Sequence, residues 1–179
     1  SWMAYEPFIR RAAGLGRATY EKDAARYENV HEFCDCAIIG AGPAGLAAAL
    51  AAGRSGARVV LVDQDFVSGG LILSSSAGEK EQWRRSVLQE LETLPNVTIH
   101  LRTVASGLYD GNQLVLLQSP AAGRVKQRTI SLRTAAIVFA TGAIERPLVF
   151  SGNDMPGAML ASALRTYLNR YAIAPASRA

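Results

Sequence analysis

Between Cys36 and Asp65 the chain reads CAIIGAGPAGLAAALAAGRSGARVVLVDQD, and no other stretch restricts the fold so strongly. Cys36–Ile39 and Arg58–Val62 are short apolar runs with the length and β-branched content of buried strands. Pro43–Ser55, rich in Ala and Leu, predicts a helix that stops at Gly56, where a left-handed cap costs little. Strand, helix and strand in such close succession require a parallel strand pair joined by a right-handed crossover.

The turn inside this unit, Gly40-Ala41-Gly42-Pro43-Ala44-Gly45, has the spacing GxGxxG. Each glycine has a physical reason. Gly40 permits the tight turn, Gly42 leaves the backbone open to a pyrophosphate, and Gly45 lets the helix pack closely on the strand. The N–H groups and positive dipole end of the helix, with Pro43 and Ala44 in its first turn, then face the phosphates. Asp63 ends the second strand and can accept hydrogen bonds from ribose hydroxyls. A carboxylate there disfavours a 2′-phosphate, so NAD or FAD is expected over NADP. Asp65 is an alternative to Asp63 for the same role, and Gln64, between them, is placed to face the adenosine.

The rest of the chain fits around this unit. Glu79–Leu94 carries Trp83, Val87, Leu88, Leu91 and Leu94 at helical spacing, and Val97–Leu101 alternates as a third strand. Leu108–Gln118, folded about Asp110-Gly111-Asn112, predicts a hairpin, and Val125–Arg133 adds a further antiparallel strand. Ala136–Phe139 is an apolar strand expected to return to the centre of the parallel sheet. Ala158–Asn169 has helical spacing. Residues 1–32 are expected to form an arm, with a helix over Tyr5–Ala13 and loose, charged chain from Tyr20 to Glu32. Ser74–Ser76 are expected in a loop.

Composition narrows the function classes. The 179 residues are 49% hydrophobic and 19% charged, a globular balance, and the net charge is only +4. The basic residues are scattered and not interleaved with aromatics, so no nucleic-acid surface is expected. No apolar run is long enough to span a bilayer and no leader pattern opens the chain, which predicts no membrane contact and a cytoplasmic location. Cys34 and Cys36 have no ligand cluster around them beyond His31, so no metal site is expected. No catalytic constellation emerges: Gly70 is followed by Leu71-Ile72-Leu73-Ser74 with no cysteine pair, and the serines lack a GxSxG turn. His31 and His100 are isolated. Arg146 is placed either to reach a pyrophosphate or to anchor a linker.

Together these residues resemble the two-dinucleotide-binding flavoprotein family. The resemblance rests on the Gly40–Asp63 fingerprint, Gly69-Gly70 after the second strand, and IVFATGA over Ile137–Ala143. It implies an α/β fold, a doubly wound parallel sheet (Rossmann-like, FAD/NAD(P)-binding type) with an antiparallel β crossover at Leu108–Arg133. It also implies that Gly70 and the Ala140-Thr141-Gly142 turn lie by the nucleotide, and that the Val104 backbone meets the adenine. AYEPFIRRAAGLG (Ala4–Gly16) and ATGAIERPLVFSGNDMPGAML (Ala140–Leu160) carry a narrower resemblance, to the α subunits of heterotetrameric oxidases of the sarcosine oxidase type. This implies a dinucleotide-binding domain over 33–150, then a linker and helix over 151–179 leading to a second domain outside this sequence. It further implies NAD held apart from the catalytic flavin, with other oxidase subunits as partners. The fingerprint alone also suits FAD, as in a stand-alone oxidoreductase acting on an amine or opine.

Overall fold

The structure, a computed structural model, describes residues 2–14, 16, 21–76 and 78–175. Four α-helices are described: α1 (Trp2–Ala12), α2 (Pro43–Arg54), α3 (Glu79–Thr93) and α4 (Ala161–Tyr171). The strands are β1 (Arg26–Ile39), β2 (Val59–Val62), β3 (Val97–His100), β4 (Thr103–Tyr109), β5 (Gln113–Gln118) and β6 (Val125–Phe139). They form one six-stranded sheet in the order β3-β2-β1-β6-β5-β4. The pairs from β3 through β6 are parallel, and β4, β5 and β6 pair antiparallel. The parallel sheet with an antiparallel crossover is therefore present, and the two share their longest strands.

β1 and β6 run side by side from Arg26↔Val125 to Ile39↔Phe139. The register shifts between Arg26 and Tyr27, and near Asp35 the pairing skips one residue on each strand, Asp35 and Ala135, without a further shift. There the N–H groups of Asp35 and Cys36 both donate to the Arg58 carbonyl, at 2.9 and 3.1 Å, the two-against-one pattern of a bulge. Asp35 is fixed by Arg58, whose backbone N–H and guanidinium both donate to its carboxylate. Beyond the bulge the sheet folds back on itself. One core cluster packs Ala37, Ile39, Val60 and Val62 of the parallel half against Leu114, Leu116, Ile130 and Leu132 of the antiparallel half. The other packs Ile38, Val59 and Leu61 against Leu46 and Ala49 of α2 and Val87 and Leu91 of α3. The layers are thus antiparallel sheet, parallel sheet and helices, and the antiparallel half occupies a face that a doubly wound sheet covers with helices.

Several expectations are corrected. Arg26–Glu32, expected as loose chain, is strand: its polar residues conceal a segment held by pairing with β6. The two strands expected at Val125–Arg133 and Ala136–Phe139 are one continuous β6. Its last residues pair with β1 but have no strand on their other side among the described residues, and Phe139 is 62% exposed. Helix α1 begins at Trp2 and buries none of its residues. Ser1, Leu15, 17–20, Ala77 and 176–179 lie outside the described residues. Gly70–Ser74 forms a 3₁₀ turn, so Ser74 is not in an open loop. It is buried, its hydroxyl 2.9 Å from the Thr166 hydroxyl and its carbonyl accepting from Asn169 at 2.9 Å. No helix is long and apolar enough to cross a membrane among the described residues.

Candidate dinucleotide-binding site

The glycine turn joins β1 to α2 at the carboxyl ends of the parallel strands, where ligands bind in open α/β sheets. Gly40 has φ +105°, and a Cβ there would overlap the Ala140 carbonyl oxygen. A Cβ on Gly45 would overlap the Gly40 carbonyl oxygen. Both glycines are therefore demanded by the protein itself. Gly42 is not: it caps α2 with φ −73°, and a Cβ built on it meets nothing within 4 Å. The open space lies where the helix presents its free donors. Leu46 is the first residue to make the helical bond, to Gly42 O at 2.9 Å, and Pro43 has no N–H. The N–H groups of Ala44 and Gly45 are left without an intrahelical acceptor.

Asp63 is tied into this turn. One carboxylate oxygen accepts the Ala41 N–H at 2.6 Å and the other the Asp65 N–H at 2.8 Å. Its backbone bridges β3 and β4, donating to His100 O at 2.9 Å and accepting from the Thr103 N–H at 2.8 Å. The carboxylate that the sequence assigns to ribose thus also holds the glycine turn. Each oxygen keeps a second lone pair for a ligand hydroxyl.

A crevice of about 310 Å³ opens beside the turn, lined by Gly40, Asp63, Gln64, Val104 and Thr141 together with Ile39, Val62, Thr103, Ala105 and Ile144. Five of the residues singled out from sequence therefore converge on one cavity. Val104 lies on β4. Ala140 donates its N–H to Ile39 O at 2.8 Å, which seats the Ala140-Thr141-Gly142 turn against the end of β1. Gly142 is exposed and lines none of the described cavities. Gly70 has φ +53°, and a Cβ on it would come within 2.9 Å of the Gly42 Cα. It packs against the turn from behind, while Gly69 donates to Ala41 O at 2.8 Å. Pro43 and Ala44 line a second, wider cavity of about 780 Å³ with Leu71, Trp83 and Arg165.

Sequence reasoning missed the residues around Phe66. This ring is 51% exposed, and the guanidiniums of Arg102 and Arg170 each lie 5.3 Å from its centroid. Arg170 also makes two bonds to the Asp65 carboxylate, at 2.6 and 2.7 Å, and holds its carboxyl below the usual carboxylate range. Glu145, next to Arg146, accepts the Ser162 N–H at 2.8 Å and so caps α4. His100 sits 2.8 Å from Glu32 across the folded sheet. Cys34 is buried and Cys36 half-buried, and burial raises the pKa of both thiols. Among the described residues no group of three or more His, Cys, Asp or Glu side chains is placed to hold a metal ion.

A parallel sheet ending in a glycine turn, a helix with free donors and a strand-end carboxylate over one crevice define a nucleotide-binding α/β domain. The chain belongs to the pyridine nucleotide-disulphide oxidoreductase family, whose sequence profile matches residues 34–177. It is 48% identical to the alpha subunit of sarcosine oxidase from Rhizobium meliloti (strain 1021), over 96% of this chain and 18% of that protein. It is 32% identical to one of the subunits of opine oxidase from Agrobacterium tumefaciens (strain Ach5), over 83% of this chain and 31% of that protein. The chain thus spans less than a third of the length of these curated relatives. Among solved structures it is similar to L-proline dehydrogenase from P. horikoshii, with a TM-score of 0.64 at 28% identity, over 89% of this chain and 32% of that one.

Proposed function

We propose that this chain is the NAD-holding portion of a sarcosine oxidase-like oxidoreductase subunit, binding the dinucleotide without carrying out the flavin chemistry. The observation that carries this reading is Gly42. Gly70 packs behind it, yet in the direction a side chain would take it faces free space at the amino end of α2, next in sequence to Ala41 whose N–H Asp63 holds. A residue without a side chain at that point serves something that is not protein. In this reading the Ala44 and Gly45 N–H groups bind the pyrophosphate, and Asp63 accepts from the ribose hydroxyls next to Gln64 and Val104. Partner subunits of the oxidase and a cytoplasmic setting belong to the same proposal. The likeness to oxidase subunits over nearly the whole chain supports it.

When bound, NAD supplies a hydride acceptor. The residues of this chain supply binding and orientation, and Asp63 couples the glycine turn to the ribose end of the crevice. Calorimetric titration of the purified protein with NAD, FAD and ADP tests the reading. Saturable binding of NAD, lost in Gly42→Val, supports it; protein that is yellow as purified and releases FAD on denaturation assigns the site to the flavin instead. No binding of any of the three sinks both.

A further inference from the structure

Arg102 links β3 to β4 in the left-handed region, with φ +52°, a conformation that costs a non-glycine residue free energy. It is held there from both sides: its N–H donates to Asp65 O at 2.8 Å, and its carbonyl accepts from Ser119 at 2.9 Å. Strain maintained in this way, next to the strand end that carries Asp63, points to a use for the side chain. The guanidinium lies 5.3 Å from the Phe66 centroid. Unlike Arg170, which shares that ring and is occupied by Asp65, Arg102 has no hydrogen bond or ion pair from its side chain among the described residues. Arg102 and Phe66 line a recess of about 390 Å³ with Gln64, Gln127, Ser119 and Val104. Gln64 and Val104 also line the crevice beside the glycine turn, so the recess adjoins its adenosine end.

We infer that Arg102 is the stacking platform for the adenine base, its guanidinium plane backed by Phe66, with the carboxamides of Gln64 and Gln127 facing the base edge. The inference rests on the dinucleotide reading above. A planar, neutral base suits this place because a guanidinium stacks on aromatic faces. A phosphate fits it less well, since the Asp63 carboxylate stands at the same strand end and repels a second anion.

The test compares unaltered protein with Arg102→Gly and Arg102→Lys, titrated with ADP, 2′,5′-ADP and inorganic pyrophosphate. Glycine is chosen because it relieves the left-handed backbone, so the fold is retained while the guanidinium is lost. Stacking on one base predicts that Arg102→Gly weakens ADP binding by about tenfold and leaves pyrophosphate binding unchanged. Arg102→Lys, which restores charge but no plane, should remain close to Arg102→Gly. Unchanged ADP affinity in Arg102→Gly overturns the inference while leaving the dinucleotide reading intact. Equal losses for ADP and pyrophosphate, or full rescue by lysine, also overturn it, because Arg102 would then be a point charge. A loss confined to 2′,5′-ADP would assign Arg102 to a phosphate and overturn it as well. If unaltered protein binds no ADP at all, the dinucleotide reading fails first and this inference with it.

Discussion

The Asp63 carboxylate accepts the Ala41 N–H at 2.6 Å, so the end of β2 fixes the shape of the turn that ends β1. Asp63→Ala leaves that N–H and the Asp65 N–H without their acceptor and should destabilise the protein by about 1–3 kcal/mol. Asp63→Asn keeps one carbonyl oxygen and should lose less. Thermal unfolding of both variants, paired with ADP titration, checks this. Equal stability of Asp63→Ala and the unaltered protein would show that the turn holds its own shape.

Gly42 and Gly45 should respond in opposite ways to the same substitution. The Cβ of Gly42→Val meets nothing within 4 Å, and the variant should unfold at a temperature close to that of the parent while losing nucleotide binding. Gly45→Val drives its side chain into the Gly40 carbonyl and should lower the unfolding temperature by several degrees or prevent folding. Differential scanning calorimetry separates the two.

Docking of α4 should depend on pH through Asp65. Its carboxyl is held below the ordinary value because Arg170 bonds to the ionised form. The stabilisation is therefore complete above the ordinary carboxylate range and is lost as pH falls through the lowered value. Arg170→Ala should abolish that dependence and leave α4 loosened throughout the range in which the pair would hold it. Trp83 lines the same cavity as Arg165 of α4, so its fluorescence in a Trp2→Phe background reports the release. An identical pH profile with and without Arg170 would exclude Asp65 as the titrating group.

Both thiols should be slow to react. Burial raises the Cys34 and Cys36 pKa values, which leaves little thiolate at neutral pH. Alkylation by iodoacetamide at pH 7 should be slower than that of free cysteine and should recover to the free rate in guanidinium. Mass spectrometry of each peptide measures it, and rapid labelling of Cys34 in the folded protein would contradict its burial.

What could be read from the sequence follows the range of the forces involved. The Gly40–Gly45 turn, α2 and β2 were legible because their requirements lie within one unit: close packing of Gly45 on Gly40, a proline at the start of a helix, apolar runs at strand length. Arg26–Glu32 was not, because its sequence is polar and only pairing with β6, about a hundred residues later in the chain, makes it strand. Asp65–Arg170 and Ser74–Thr166 are hidden for the same reason, the partners being 105 and 92 positions apart in the chain. Of the candidate site, Gly40, Asp63, Gln64, Val104 and Thr141 line one crevice. Arg102 and Phe66 carry no motif. Their signal is a backbone angle and a ring contact, which exist only after folding.

At the Asp35 bulge the parity of the inward-facing residues changes. Upstream of it the even-numbered residues Val30 and Cys34 face the core between the sheet halves, and downstream the odd-numbered Ala37 and Ile39 do. β6 changes with it, from Ile130 and Leu132 to Ile137. In strict alternation a strand has one inner face throughout its length. Here one unpaired residue on each strand, Asp35 and Ala135, changes the parity while the apolar residues stay on the inner side, so that one strand closes the antiparallel half and then supports the cradle at Gly40. Deleting Asp35 alone would bring Val30, Cys34, Ala37 and Ile39 into one strict alternation but set the two halves of β1 one residue out of register with each other against β6.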